Sequence, residues 1–167
     1  MKRISTLLLI LAAMIFDARS QDCALIKNED PYTRSTTYST GYHKWNGGSI
    51  VLDASKPEID WMIEVGAGTI CVDDEASIQV FFEGSKLRLM FRNAGTMNCE
   101  GLLHVFFKNS PTTNSQLNKL ATLPIQRILI TTAKEKEFSI EPTAEQRTAW
   151  MRSAACLTDR AKQLLTQ

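Results

Sequence analysis

The amino-acid sequence predicts an α+β domain. Its core element is a mostly antiparallel β-sheet of about six to seven strands, with a short helix and a long C-terminal helix packed on one face. Three observations carry this. The middle of the chain alternates apolar and polar residues with period two, the pattern of half-buried strands. Two capping patterns open helical segments in the last third. All four cysteines, Cys23, Cys71, Cys99 and Cys156, lie beyond an apolar leader, which points to disulfides in an oxidising compartment.

The leader comes first in the chain. Lys2 and Arg3 precede the apolar run Leu7 to Phe16, and Ala18-Arg19-Ser20 follows as a small-x-small cleavage site, so residues 1–20 read as a signal peptide and the chain is expected to be secreted or periplasmic. The run is too short for a bilayer-spanning helix, which needs about 20 apolar residues. No transmembrane segment is expected in the mature chain. Residues 21–167 are expected to form one disulfide-stapled domain, since they suffice for a single core and contain no repeat. Without Lys2, Arg3, Arg19 and Asp17, the 19 basic and 18 acidic side chains become 16 and 17, a formal charge of −1. That balance argues against a nucleic-acid partner.

Strands follow from alternation. Ile59, Trp61, Ile63 and Val65 face one way and Asp60, Met62 and Glu64 the other. Ile78, Val80 and Phe82 are answered after Glu83-Gly84-Ser85-Lys86 by Leu87, Leu89 and Phe91, a hairpin turning at Gly84. Further strands are expected over 102–108, 124–132 and 137–140. Thr113-Asn114-Ser115-Gln116 opens a short helix that ends before Pro124, and Thr143-Ala144-Glu145-Gln146 opens a final helix running to about residue 165. Trp150, Ala154, Leu157, Ala161 and Leu164 form its apolar stripe, with Cys156 roughly 120° from the stripe's centre.

Four cysteines allow three pairings, and spacing does not choose among them. Cys71 and Cys99 flank the predicted hairpin, which favours Cys71–Cys99 and leaves Cys23–Cys156. Separations of 48, 28 and 57 positions do not fit a zinc site, and no cofactor is expected.

Candidate functional residues are sparse. Tyr38, Tyr42 and Trp45, set among serines and threonines, could present aromatic faces to a peptide or sugar; the plainer reading is an edge strand pair. His104 alternates with apolar neighbours inside a strand, and His43 precedes Lys44-Trp45. Either histidine is a candidate base with Asp73 or Asp74 as its orienting acid. Asp73-Asp74-Glu75 lacks a calcium-loop spacing and reads as a solvated turn. Lys86, Arg88 and Arg92 make a basic row that would meet acids on the adjacent strand, with Glu83 within reach of Lys86.

Cys23 with Asp30-Pro31-Tyr32-Thr33 and Ser39-Thr40-Gly41, Phe81-Phe82-Glu83-Gly84-Ser85 leading to Asn98-Cys99-Glu100-Gly101, and Leu120-Ala121-Thr122 through Cys156-Leu157 occur together in this chain. In this arrangement it resembles small exported bacterial proteins of unknown function. The resemblance implies a periplasmic or secreted single domain and supplies no activity. The expected function is therefore a non-catalytic exported binding or structural domain whose partner is an envelope protein, a peptide or a glycan. The alternative is a small hydrolase with a dispersed His/Asp site.

Overall fold

The computed structural model describes residues 23–66, 70–134 and 136–166; the expected signal peptide lies outside the described residues. Among the described residues, ten antiparallel strands form two sheets, joined by two helices. The first sheet runs β1 (Ile26–Glu29), β2 (Thr36–Ser39), β4 (Gly48–Ala54), β5 (Glu58–Val65) and β8 (Leu102–Lys108), with β3 (His43–Trp45) sharing the β2 edge of β4. The second runs β10 (Glu137–Ile140), β9 (Ile125–Thr131), β6 (Ser77–Phe82) and β7 (Arg88–Arg92). Helix α1 spans Ser115–Thr122 and helix α2 spans Ala144–Leu164.

The strands that alternate in sequence alternate in burial. In β5, Ile59, Trp61, Ile63 and Val65 are buried while Asp60, Met62 and Glu64 are not, and β6 repeats this with Ile78, Val80 and Phe82 inside. The structure holds more strands than alternation reveals. Ser49, Ile50, Val51 and Leu52 of β4 are all buried, so this strand carries no period-two signal, as strands covered on both faces do not.

Both helices begin at side-chain caps. Asn114, one residue later than the pattern suggests, accepts from the backbone N–H groups of Gln116 and Leu117. Thr143 and Gln146 form the predicted capping box, and Gln146 Nε2 also donates to the Lys44 carbonyl at 2.7 Å, tying the helix start to β3. Burial of the α2 stripe brings Trp150 against β3: its ring meets His43 edge-on at 5.4 Å and Trp45 at 6.1 Å. Its indole N–H donates to the Leu120 carbonyl at 2.9 Å, so the buried ring also fixes α1.

The inner faces of the sheets meet at Phe91, whose ring lies edge-on to Trp61 at 5.8 Å and to Phe107 at 5.9 Å. Backbone bonds link the sheets at both margins. On one side the Ala94 N–H donates to the His104 carbonyl at 2.8 Å; on the other Asn46 and Glu141 form an isolated bridge. The disulfides are Cys23–Cys156 and Cys71–Cys99. The first ties the start of the described chain to α2, and the second sits beside the Val72–Asn98 bridge. Asn98-Cys99-Glu100-Gly101 is explained by this local structure. The Asn98 side chain accepts from the Glu100 and Leu102 N–H groups, and Gly101 adopts φ +73° where a Cβ would collide with the Val65 carbonyl, a position only glycine fills without strain.

Candidate functional site

The outer face of the first sheet gathers chemistry that the linear sequence scatters. Antiparallel register sets Asp53, Asp60 and Phe106 in one row across β4, β5 and β8, with Val51, Met62 and His104 in the next and Ser49, Glu64 and Leu102 beyond. Residues in register point to the same side of a sheet. His104 Nδ1 and Asp60 Oδ2 lie 2.7 Å apart, diagonal neighbours on adjacent strands. An ionised Asp60 only accepts, so Nδ1 carries the shared proton, and among the described residues Nε2 has no hydrogen-bond partner.

The pair is held from several directions. His104 stacks on Phe106, with ring centroids 5.8 Å apart and planes 21° from parallel. Gly95 lies close to the same imidazole ring, where a Cβ would stand 2.9 Å from His104 Cδ2. The His104 backbone is held by Asn93, whose Oδ1 accepts its N–H at 2.9 Å. Burial pushes the Asp60 carboxyl above its ordinary range; the His104 hydrogen bond and charge oppose this, while Asp53 and Glu58 reinforce it. Asp60 Oδ1 is buried without a hydrogen-bond partner. Phe106 remains 45% exposed, and Ser49 Oγ donates to Glu64 Oε2 at 2.8 Å on the same face.

The residues singled out by sequence fall in different places. Trp45 is corrected from ligand platform to core: it is 6% exposed and packed on Trp150. Tyr38 stands opposite Ala54 on the inner side of the sheet and is partly buried against the core. Tyr42 alone of the three is well exposed, at 59%. The three rings thus do not share one open surface, because β2 and β3 turn alternate residues inward.

His43 is half-buried against Trp150, and loss of water holds its pKa below the usual histidine value. It faces the core and not an acid. The orienting acid of His104 is Asp60, not Asp73 or Asp74. Asp73 turns its carboxylate onto its own loop, accepting from the Glu75 N–H at 3.2 Å, and lines a recess of about 280 Å³ beside Cys71 with Lys134 and Lys136. Among the described residues no group of three or more His, Cys, Asp or Glu could hold a metal ion.

The basic row also lacks the partners expected of it. Arg88 and Arg92 stand opposite Phe81 and Ser77 of β6, and Glu83 pairs with Arg147 of α2 at 3.4 Å rather than with Lys86. Asp60 escaped the sequence reading because its partner arrives from 44 residues away. The one available signal was its position on the polar side of β5, shared with Met62 and Glu64. Comparison with family models, with curated proteins and with solved structures finds no match for this chain.

Proposed function

We propose that this protein is an exported, non-catalytic binding domain that engages its partner through the outer face of the first sheet. One observation carries the reading: Phe106 is solvent-accessible, yet its ring is stacked on a histidine that is itself clamped by Asp60 and Gly95. An aromatic side chain held in one orientation loses little freedom on contact and contributes strongly at interfaces. Charged and polar neighbours surround it, as in the rim of a contact patch. Two disulfides are compatible with an oxidising compartment, and among the described residues no helix is long and apolar enough to cross a membrane.

The test is capture of envelope and medium proteins by the oxidised protein, comparing wild type with Phe106→Ala and with Tyr42→Ala. A partner retained by wild type and Tyr42→Ala but lost with Phe106→Ala supports the reading. Equal retention by all three would move the contact elsewhere.

A hydrolytic reading has one observation in its favour, the 2.7 Å His104–Asp60 contact with Nε2 unengaged, an arrangement suited to a general base. The same row offers Val51 and Met62 and no hydroxyl or thiol nucleophile, so the base would have to act on water. Turnover of ester or peptide substrates that disappears in His104→Ala would favour this reading over binding.

A further inference from the structure

The outer faces of the two sheets carry opposite charge, and the patterns match in spacing. On the second sheet, Arg88, Met90 and Arg92 of β7 point outward beside Ser77, Gln79 and Phe81 of β6 and Arg127, Leu129 and Thr131 of β9. Among the described residues neither the Arg88 nor the Arg92 side chain makes a hydrogen bond or ion pair. Arg127 lies over the Phe81 ring at 4.5 Å. Glu137, a carboxylate on this face, stands on β10 at the far edge of the Arg92 row. Met90 is 59% exposed.

On the first sheet the outward series of β5 is Glu58, Asp60, Met62 and Glu64, with Asp53 beside Asp60 on β4. Lys108 opposite Glu58, Lys44 opposite Ser49, and His104 are its counterweights. Arg–Met–Arg on one face therefore answers Asp–Met–Glu on the other. Each series repeats at alternate residues, so its charged ends stand about 13 Å apart at ordinary strand rise.

We infer that a second copy of this chain is the partner: the basic face of β7–β6–β9 in one molecule docks on the acidic face of β4–β5–β8 in the next. The inference rests on the binding reading above and names its partner. Arg88 and Arg92 reach carboxylates they lack within their own fold, and Met90 adds apolar contact beside Phe106 and Met62. The contact is heterologous, joining two different surfaces, so it continues from copy to copy into a filament or a closed ring instead of stopping at a two-fold dimer. Complementary charge of this kind sets register and association rate and is screened by salt.

Sedimentation velocity on oxidised protein tests this directly. Wild type should form a concentration-dependent ladder of species that shrinks as NaCl is raised from about 50 to about 500 mM. Arg88→Glu/Arg92→Glu and Asp53→Lys/Glu58→Lys should each weaken self-association at least about tenfold. Among the described residues the carboxylates of Asp53 and Glu58 make no hydrogen bond or ion pair, so their reversal leaves the core intact; near-ultraviolet circular dichroism verifies both variants. Mixed one to one, the two variants should associate again, because each retains the face the other has lost. Monomeric wild type at every concentration, association that survives charge reversal, or a mixture that stays monomeric would overturn the inference. So would monomeric wild type that sediments with anionic phosphatidylglycerol vesicles, which would assign the arginines to a lipid surface. Monomeric wild type that still captures a different protein through Phe106 overturns this inference alone and leaves the binding reading standing.

Discussion

The backbone N–H of His104 donates to the side-chain oxygen of Asn93 at 2.9 Å, and this bond crosses from the first sheet to the end of β7 in the second. Asn93 is 4% exposed and uses its whole amide: Oδ1 also accepts from the Gly95 N–H at 3.0 Å, and Nδ2 donates to the Asp73 carbonyl at 2.8 Å. Removing the amide leaves the part-buried N–H groups of Gly95 and His104 without their acceptor, while the Asp73 carbonyl keeps the Ala76 N–H at 3.3 Å. Asn93→Ala should cost about 2 to 4 kcal/mol, read from denaturant unfolding. It should also disturb the His104 resonances, since the same bond positions the histidine. A cost under about 0.5 kcal/mol, the range of ordinary surface substitutions, would mean that the sheets are held together elsewhere.

Asp60 should depress stability as pH rises. Its carboxyl titrates above the ordinary value of 3.8 because burial disfavours the charge. Between 3.8 and the raised native value, the folded state holds a proton that the unfolded state has released, so stability falls with rising pH across that window and is level above it. Asp60→Asn keeps an acceptor for His104 and removes the charge. Urea melts from pH 3 to 7 should show the variant gaining on wild type through this window, and a constant difference would refute the burial argument.

His43 acts with the opposite sense. Burial lowers its pKa from 6.5, so below pH 6.5 the unfolded chain takes up a proton that the folded chain resists. Stability is therefore full above 6.5 and erodes as pH falls toward the native value. His43→Phe, which retains an aromatic ring against Trp150, should flatten this part of the pH profile. An unchanged slope in thermal melts between pH 7 and 5 would show that His43 is hydrated in solution.

The two disulfides differ in the loops they close. Cys23–Cys156 spans 133 positions and Cys71–Cys99 spans 28. In the chain-entropy treatment the longer loop constrains the unfolded chain more, about 4 to 5 kcal/mol against about 3 to 4. Cys23→Ala/Cys156→Ala should lower Tm further than Cys71→Ala/Cys99→Ala. Equal losses would indicate that local contacts around Val72 and Asn98 matter as much as loop length.

Periodicity located β5 through β10 and the apolar stripe of α2 because each buries one side only, and that constraint is written into every second or every third and fourth residue; α1 was located by its capping pattern and Pro124. Two N-terminal strands, β1 and β4, were hidden for the opposite reasons, whereas β2 and β3 fall where an edge strand pair was the plainer reading. Ile50, Val51 and Leu52 of β4 are enclosed on both faces, whereas Ile26 to Glu29 of β1 are all exposed, so neither strand imposes alternation. The same limit misled the reading of Trp45, whose neighbours in sequence are polar while its neighbours in space are Trp150 and the core.

The sequence by itself determined the fold class, the hairpin at Gly84, the Thr143 capping box and the presence of two cysteine pairs, because hydrogen bonding and burial within a strand or helix involve residues close in the chain. Only the tertiary structure decided the cysteine pairing, the division into two sheets, the union of His104 with Asp60, and the unpaired arginines on β7. Each depends on which strand lies beside which, and that order follows from long-range packing around Trp61, Phe91 and Trp150 and not from any local run of residues.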